Sequence, residues 1–187
     1  MKIAVIPARG GSKRIPRKNI KLFSGKPIIA RSLQVALNSN IFDSVIVSTE
    51  NEEIAKIAKK YGAEIPFMRP KELATDKAGM YEVILHGINN LKSLGYNFDI
   101  LVNRDCTVPF IRNKDIARTI NILKRKKVDG VYGVYKQHHN PYFNMMEIDS
   151  KGFLQYSKKI GKKIKSRQSA PIVYQLNGLF TINVNKL

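Results

Sequence analysis

Hydrophobic residues change their spacing several times along this chain, and each change marks an element. Ile3-Ala4-Val5-Ile6 is an unbroken apolar run, which predicts a strand buried on both faces. Between Pro27 and Asn38, Ile29, Leu33, Ala36 and Leu37 recur at helical spacing. Residues 43–49 read as a second strand. Thr49-Glu50-Asn51-Glu52 then has the form of a capping box, with Ile54, Ile57, Ala58 and Tyr61 as the stripe behind it and Gly62 as the stop. Residues 65–68 read as a short third strand, placed near an edge by Pro66. Met80, Val83, Ile84, Gly87, Ile88 and Leu91 predict one face of a long helix ending at Gly95. Residues 99–103 form the fourth expected strand, Ile116, Ile120 and Leu123 the next helix, and residues 131–135 the fifth strand.

Strands alternating with helices predict an α/β fold with a doubly wound, mostly parallel sheet. Ligands of such sheets sit beyond the carboxyl ends of the strands, so the loops after the first, third and fourth strands are expected to share one rim. From Gln137 the alternation breaks. Residues 145–148 and 153–156 read as a hairpin around Asp149-Ser150-Lys151-Gly152, residues 158–165 as a mobile lysine-rich loop, and residues 179–182 as a last strand. No internal repeat is visible.

Composition narrows the class. A length of 187 residues suits one domain with a substantial core. No apolar run approaches the ~18–20 residues that a membrane span requires. Met1-Lys2 leads straight into the first strand, so no signal peptide is expected. The single cysteine, Cys106, excludes an intrachain disulfide framework and fits a reducing cytoplasm. Thirty-three basic residues against 14 acidic ones give a formal charge of +19, and nothing acidic follows Asp149. Nucleic acid, anionic small substrates and a lysine-rich background all remain open as causes.

The chemistry is concentrated in Ile6-Pro7-Ala8-Arg9-Gly10-Gly11-Ser12-Lys13-Arg14-Ile15-Pro16-Arg17-Lys18-Asn19. Paired glycines let a backbone take positive φ and turn N–H groups towards an anion. Five cations surround them, and nothing acidic precedes Asp43, so they have no local partner. A phosphate cradle and a solvated structural turn both fit this pattern. Neither a Walker loop nor the dinucleotide fingerprint does. Asp105, at the carboxyl end of an expected central strand, suits either a hard cation such as Mg²⁺ or a loop cap. Cys106 has no metal-site spacing around it and is expected to pack. His138-His139 reads as a loop before Asn140-Pro141.

Pro7-Ala8-Arg9-Gly10-Gly11-Ser12-Lys13, followed by Lys18-Asn19, resembles the N-terminal signature of the acylneuraminate cytidylyltransferase family, which activates sialic-acid-type sugars. Arg69-Pro70 with Leu73-Ala74 and Asp76, Thr107-Val108-Pro109-Phe110, and Tyr174 to Gly178 resemble further elements of that family. Asp105-Cys106-Thr107-Val108-Pro109 departs from the Gln-Pro-Thr-Ser-Pro of the neuraminate enzymes and looks more like the legionaminate/pseudaminate branch. Asn140-Pro141-Tyr142-Phe143-Asn144 and Arg167-Gln168-Ser169-Ala170-Pro171 are also similar to that branch.

The resemblance implies a nucleotidyltransferase fold and the conversion of CTP and an acidic nine-carbon sugar to CMP-sugar and pyrophosphate. It implies nucleotide binding by Ala8, Arg9, Gly10, Gly11, Ser12, Lys13, Lys18, Asn19 and Arg69, with Asn19 on the cytosine ring. Arg9, Lys18 and Asp105 would carry catalysis, Asp105 holding Mg²⁺ or touching the sugar. Arg167, Gln168 and Asn177 would lie on the sugar side. Residues 137–171 correspond to the family's dimerisation insert, so a cytoplasmic homodimer is implied. Family members continue past the last strand with further aspartates, so the C-terminal part of the family domain is expected to be missing. The rival readings are an enzyme for the eight-carbon sugar KDO and, in another class, a basic nucleic-acid-binding module. The second lacks the interleaved aromatic residues of RNA-binding motifs.

Overall fold

A computed structural model describes residues 1–161 and 164–187. Lys162 and Lys163, within the lysine-rich stretch, lie outside the described residues. The elements are β1 (Lys2–Pro7), a small hairpin of β2 (Leu22–Phe23) and β3 (Lys26–Pro27), α1 (Ile28–Leu37), β4 (Ser44–Ser48), α2 (Glu52–Lys60), α3 (Met80–Ser93), β5 (Ile100–Arg104), α4 (Asn113–Lys126), β6 (Gly130–Lys136), a second hairpin of β7 (Met146–Ile148) and β8 (Leu154–Tyr156), and β9 (Tyr174–Asn183). The chain divides into two compact units, residues 1–133 with 178–187, and residues 134–177.

The first unit is built on a sheet of order β4-β1-β5-β9-β6. β1 runs parallel to both β4 and β5, and β9 runs antiparallel to β5. The run Ile3 to Ile6 is fully buried because helices cover both faces. Ala4 and Ile6 point to α1 and α2 through Ile29, Leu33, Ile54 and Ala58. Ile3 and Val5 point the other way, to Ile84, Ile88 and Leu91 of α3. α4 lays Ile116, Ile120 and Leu123 on Ile100 and Val102. Each such buried aliphatic side chain stabilises the fold by about 1.5–3 kcal/mol. The doubly wound, mostly parallel arrangement is therefore as expected.

Three local expectations change and one element is new. Residues 65–68 form no strand. Glu64 alone bridges β4, its N–H donating to Val45 and its carbonyl accepting from Val47 at 2.9 and 3.0 Å. The next ladder bond would fall on Pro66, which has no N–H to give. The cap of α2 is Asn51 rather than Thr49, its side chain accepting from the Ile54 N–H at 3.0 Å. The β2–β3 hairpin, two residues on each side, is too short to leave a periodic signal. β9 is longer than 179–182 and passes straight through Gly178, which takes φ +80° inside the strand.

In the second unit, β7 and β8 pair antiparallel with Met146 opposite Tyr156. Asp149 organises their turn, its Oδ1 accepting from the N–H groups of Lys151 and Phe153. Buried Asn140 does the same for the preceding loop. Its carbonyl accepts from the N–H groups of Phe143, Asn144 and Met145, and its side chain donates to the Pro171 carbonyl.

Gly178 is the position where backbone geometry and site geometry meet. A Cβ there would lie 2.7 Å from the Cβ of Asp105, at a φ that L-residues avoid. Gly178→Ala should therefore lower unfolding stability by more than about 1 kcal/mol. Gly11→Ala, where a Cβ meets nothing within 4 Å, should stay within about 0.5 kcal/mol. Urea titration of both variants measures the difference.

Candidate functional site

Three segments meet beyond the carboxyl ends of the parallel strands around a cavity of about 280 Å³. The loop after β1 supplies Arg9, Ser12, Lys18 and Asn19. The segment before α3 supplies Arg69, Thr75 and Asp76, and the loop after β5 supplies Asp105 and Thr107. These are the loops whose convergence the alternation of elements implies, although the third lacks its expected strand.

The glycine loop is not shaped as its composition suggests. Neither Gly10 nor Gly11 takes a positive φ; Arg17 does, at 55°. The Gly10 N–H is already committed to Glu50 Oε1 at 2.6 Å. What requires glycine at position 10 is space, because a Cβ would lie 2.8 Å from Asn51 Nδ2. The loop's cations, without a partner in the local sequence, find partners in the tertiary structure. Arg9 pairs with Asp76 at 2.8 Å and donates to the Thr75 carbonyl at 2.9 Å. Lys13 reaches the other Asp76 oxygen at 2.5 Å, and Arg17 pairs with Glu53. Among the described residues, Lys18 forms no ion pair. Lys13, Ala8, Gly10 and Gly11 belong to the loop but do not line the cavity.

Asp76 feels these cations. The Lys13 hydrogen bond, helped by the charges of Lys13 and Arg9, holds its carboxyl below the usual carboxylate range. The pairing therefore contributes throughout the pH range above that usual value and is lost only as pH falls through the lowered one.

Sequence reasoning overlooked Glu50, which the structure makes central. Glu50 Oε2 accepts from Arg69 Nη2 at 3.0 Å while its other oxygen holds Gly10. Both side chains are largely buried, 3% exposed for Arg69 and 13% for Glu50. The Arg69 main-chain N–H donates to the Thr49 carbonyl at 2.8 Å, so the residue is held at its backbone and, through Nη2, by the carboxylate. The only sequence signal was an acidic residue directly after a buried strand.

Asn19 is buried. Its Nδ2 donates to the Arg9 carbonyl at 2.8 Å, and its Oδ1 accepts from the Cys106 thiol at 2.9 Å. One amide hydrogen and one lone pair remain for another partner. Cys106 packs in the core as expected, and burial pushes its thiol up to about 12. It stays protonated and is no nucleophile. Arg104, also overlooked, is fully buried, donates weakly to the carbonyls of Pro109 and Ile111, and is pulled down to about 10 by burial.

Asp105 Oδ1 accepts from both the N–H and the hydroxyl of Thr107 at 2.8 Å, a loop-capping arrangement. Its Oδ2 has no hydrogen-bond partner among the described residues. One free carboxylate oxygen, with phosphate oxygens and waters, is the minimum that Mg²⁺ accepts from a protein. The described residues contain no cluster of three or more His, Cys, Asp or Glu that could hold a metal by itself. Arg167, Gln168 and Asn177 belong to the second unit. There Arg167 and Gln168 line a separate cavity of about 490 Å³ with Lys136 and His138. His138 and His139 sit in the expected loop, their N–H groups capped by the Gln137 side chain. No helix among the described residues is long and apolar enough to cross a membrane.

Comparison with known proteins adds an independent finding. A family profile described as Cytidylyltransferase matches residues 3–181. A pseudaminic acid cytidylyltransferase of Campylobacter jejuni is 48% identical over 116 residues, covering 62% of this chain and 50% of that protein. A CMP-N,N'-diacetyllegionaminic acid synthase of the same species is 32% identical over 179 residues, covering 94% and 74%. The match to the first thus spans half of that relative's length. Among solved structures, a CMP:2-keto-3-deoxy-manno-octonic acid synthetase complexed with CTP superposes with a TM-score of 0.73 at 17% identity, over 99% of this chain and 75% of that one. That likeness establishes a shared fold.

Removing the Glu50 charge tests how the loop is held. Glu50→Gln leaves Arg69 as an uncompensated buried cation and should lower stability by about 2–4 kcal/mol. Glu50→Gln combined with Arg69→Met should recover more than half of that loss, because no buried charge is then left unpaired. Chemical denaturation of the single and double variants reads both effects.

Proposed function

Because the chain belongs to the cytidylyltransferase family, we propose that it transfers the cytidylyl group of CTP to the anomeric hydroxyl of a sialic-acid-like nine-carbon α-keto acid sugar, releasing pyrophosphate. The observation that carries this reading is the cavity at the strand ends, where Arg9, Ser12, Lys18, Asn19 and Arg69 face one space with Asp105. The names of the relatives, pseudaminic acid cytidylyltransferase and CMP-N,N'-diacetyllegionaminic acid synthase, favour a nonulosonic acid as acceptor.

In this reading the sugar oxygen attacks the α-phosphorus and the bond to the bridging oxygen breaks, so negative charge accumulates on the departing pyrophosphate. Arg9, Lys13 and Lys18 neutralise that charge, and Ser12 donates a hydrogen bond to the phosphates. Arg69, held rigid by Glu50, keeps its charge at one fixed place on the cavity wall. Asn19 offers its remaining amide hydrogen and lone pair to the cytosine edge, from a position already clamped to the Arg9 carbonyl. Mg²⁺, held through Asp105 and phosphate oxygens, would supply further charge neutralisation.

Exposed Ile148, Phe153 and Leu154 in the second unit favour a homodimer that covers them. A cytoplasmic setting suits both a CTP-dependent reaction and a free thiol.

Pyrophosphate release from CTP, measured against a panel of pseudaminic, legionaminic and N-acetylneuraminic acids and KDO, tests the reading. Turnover should require CTP and be highest with the first two acids. Turnover with KDO alone, or none with any acid, would overturn it. In the active protein, Arg9→Ala and Lys18→Ala should each lower kcat/KM for CTP about ten- to a hundredfold while leaving stability nearly unchanged. Asn19→Ala should erode the preference for CTP over UTP, and Asp105→Asn should raise the Mg²⁺ concentration needed for half-maximal rate. Unchanged values in any of these measurements would remove the corresponding residue from the site.

A further inference from the structure

Asp76 has no part in the chemistry above, yet it holds two of the cations on which that chemistry depends. Its two carboxylate oxygens are divided between Arg9 Nη2 at 2.8 Å and Lys13 Nζ at 2.5 Å. The neighbouring Thr75 carbonyl takes the Arg9 Nη1 at 2.9 Å. Two oxygens of one anion bridging an arginine and a lysine, beside a glycine-rich loop, form the arrangement that a phosphate would make there. Asp76 lines the same cavity as Arg9 and Lys18, and it lies on the irregular stretch between the 3₁₀ turn Lys71–Ala74 and α3. Its side chain is 37% exposed, so nothing in the packing requires a charge at that place.

We infer that Asp76 is the resident counter-anion of the phosphate subsite and a specificity-determining residue that the ligand's phosphates must displace. This rests on the assignment of Arg9 and Lys13 to the leaving phosphates. The consequence is selective. A ligand that recruits both cations bears the cost of separating them from Asp76, whereas a nucleoside monophosphate that leaves them in place does not. When pyrophosphate departs, Asp76 is at hand to take the cations back, which speeds release of a product that would otherwise bind two unpaired charges. Lys18, which has no acidic partner among the described residues, is outside this exchange and is ready for the incoming phosphates.

Titration calorimetry without divalent metal, using inorganic tripolyphosphate, pyrophosphate, CTP and CMP as ligands, tests the inference on the wild type and on Asp76→Asn. The amide keeps the shape and removes the charge. Loss of two partly exposed ion pairs should tighten tripolyphosphate, pyrophosphate and CTP about three- to tenfold, with the effect shrinking as salt is raised. CMP should change by less than about twofold. Asp76→Glu, which restores the charge, should return the phosphate affinities towards wild type. Tripolyphosphate binding that is equal or weaker in Asp76→Asn overturns the inference, as does an equal gain for CMP, which would mean that the cavity had simply opened. Failure of the wild type to bind CTP, with the tripolyphosphate pattern as expected, would overturn the nucleotide assignment while upholding Asp76 as the displaced anion.

Discussion

A single half-buried carboxylate, Glu50, ties together the two segments on which the cavity depends. One of its oxygens takes the Gly10 N–H and the other takes the Arg69 guanidinium. An ion pair removed from water is costly to form and more costly to break by halves. Once formed, it therefore pins the loop after β1 and the segment after residue 64 in one relative position. The space beside Gly10 belongs to the same arrangement, since a Cβ there would run into Asn51 at the start of α2.

Charge balance around this anchor is made across the chain rather than along it. Arg9, Lys13 and Arg17 occur in a stretch with no acidic residue, and each is answered from a distant segment, by Asp76 or Glu53. Such pairs are partly exposed and individually weak. That weakness suits the proposed exchange of protein carboxylates for ligand phosphates, because cations fully satisfied by buried partners would not let go. In that proposal Glu50 and Asp76 divide two tasks between them, one holding the frame and the other holding charges that must move.

Deeper in the first unit, polar groups hold the β5 loop in place. Gly178 in β9 accepts from the Asn103 side chain at 3.0 Å and from the Asp105 N–H at 3.1 Å. Arg104 lies buried beneath the same loop and donates to its carbonyls. Asp105 is therefore presented by a loop whose backbone bonds are made on both sides. The second unit has a different character. Its loops are organised by Asn140 and Asp149, while Ile148, Phe153 and Leu154 remain in water.

The apolar spacing in the amino-acid sequence was sufficient for the sheet, its covering helices and the rim on which the cavity lies, because burial of aliphatic faces follows from local periodicity. The residue types in the first loop, and Asp105 at a strand end, were likewise legible as candidates, since their chemistry resides in single side chains. Three things were decided only by the tertiary structure. The absence of a third strand at residues 65–68 followed from which ladder bond fell on Pro66. Gly10 turned out to serve close approach and not positive φ, which depends on where Asn51 lies, while Gly11 is required for neither. The roles of Glu50 and Asp76 arise from pairings across 19 or more residues. Ion pairs between distant segments leave no periodic trace in a sequence, so a carboxylate that anchors a loop and one that merely faces water look alike until the chain is folded.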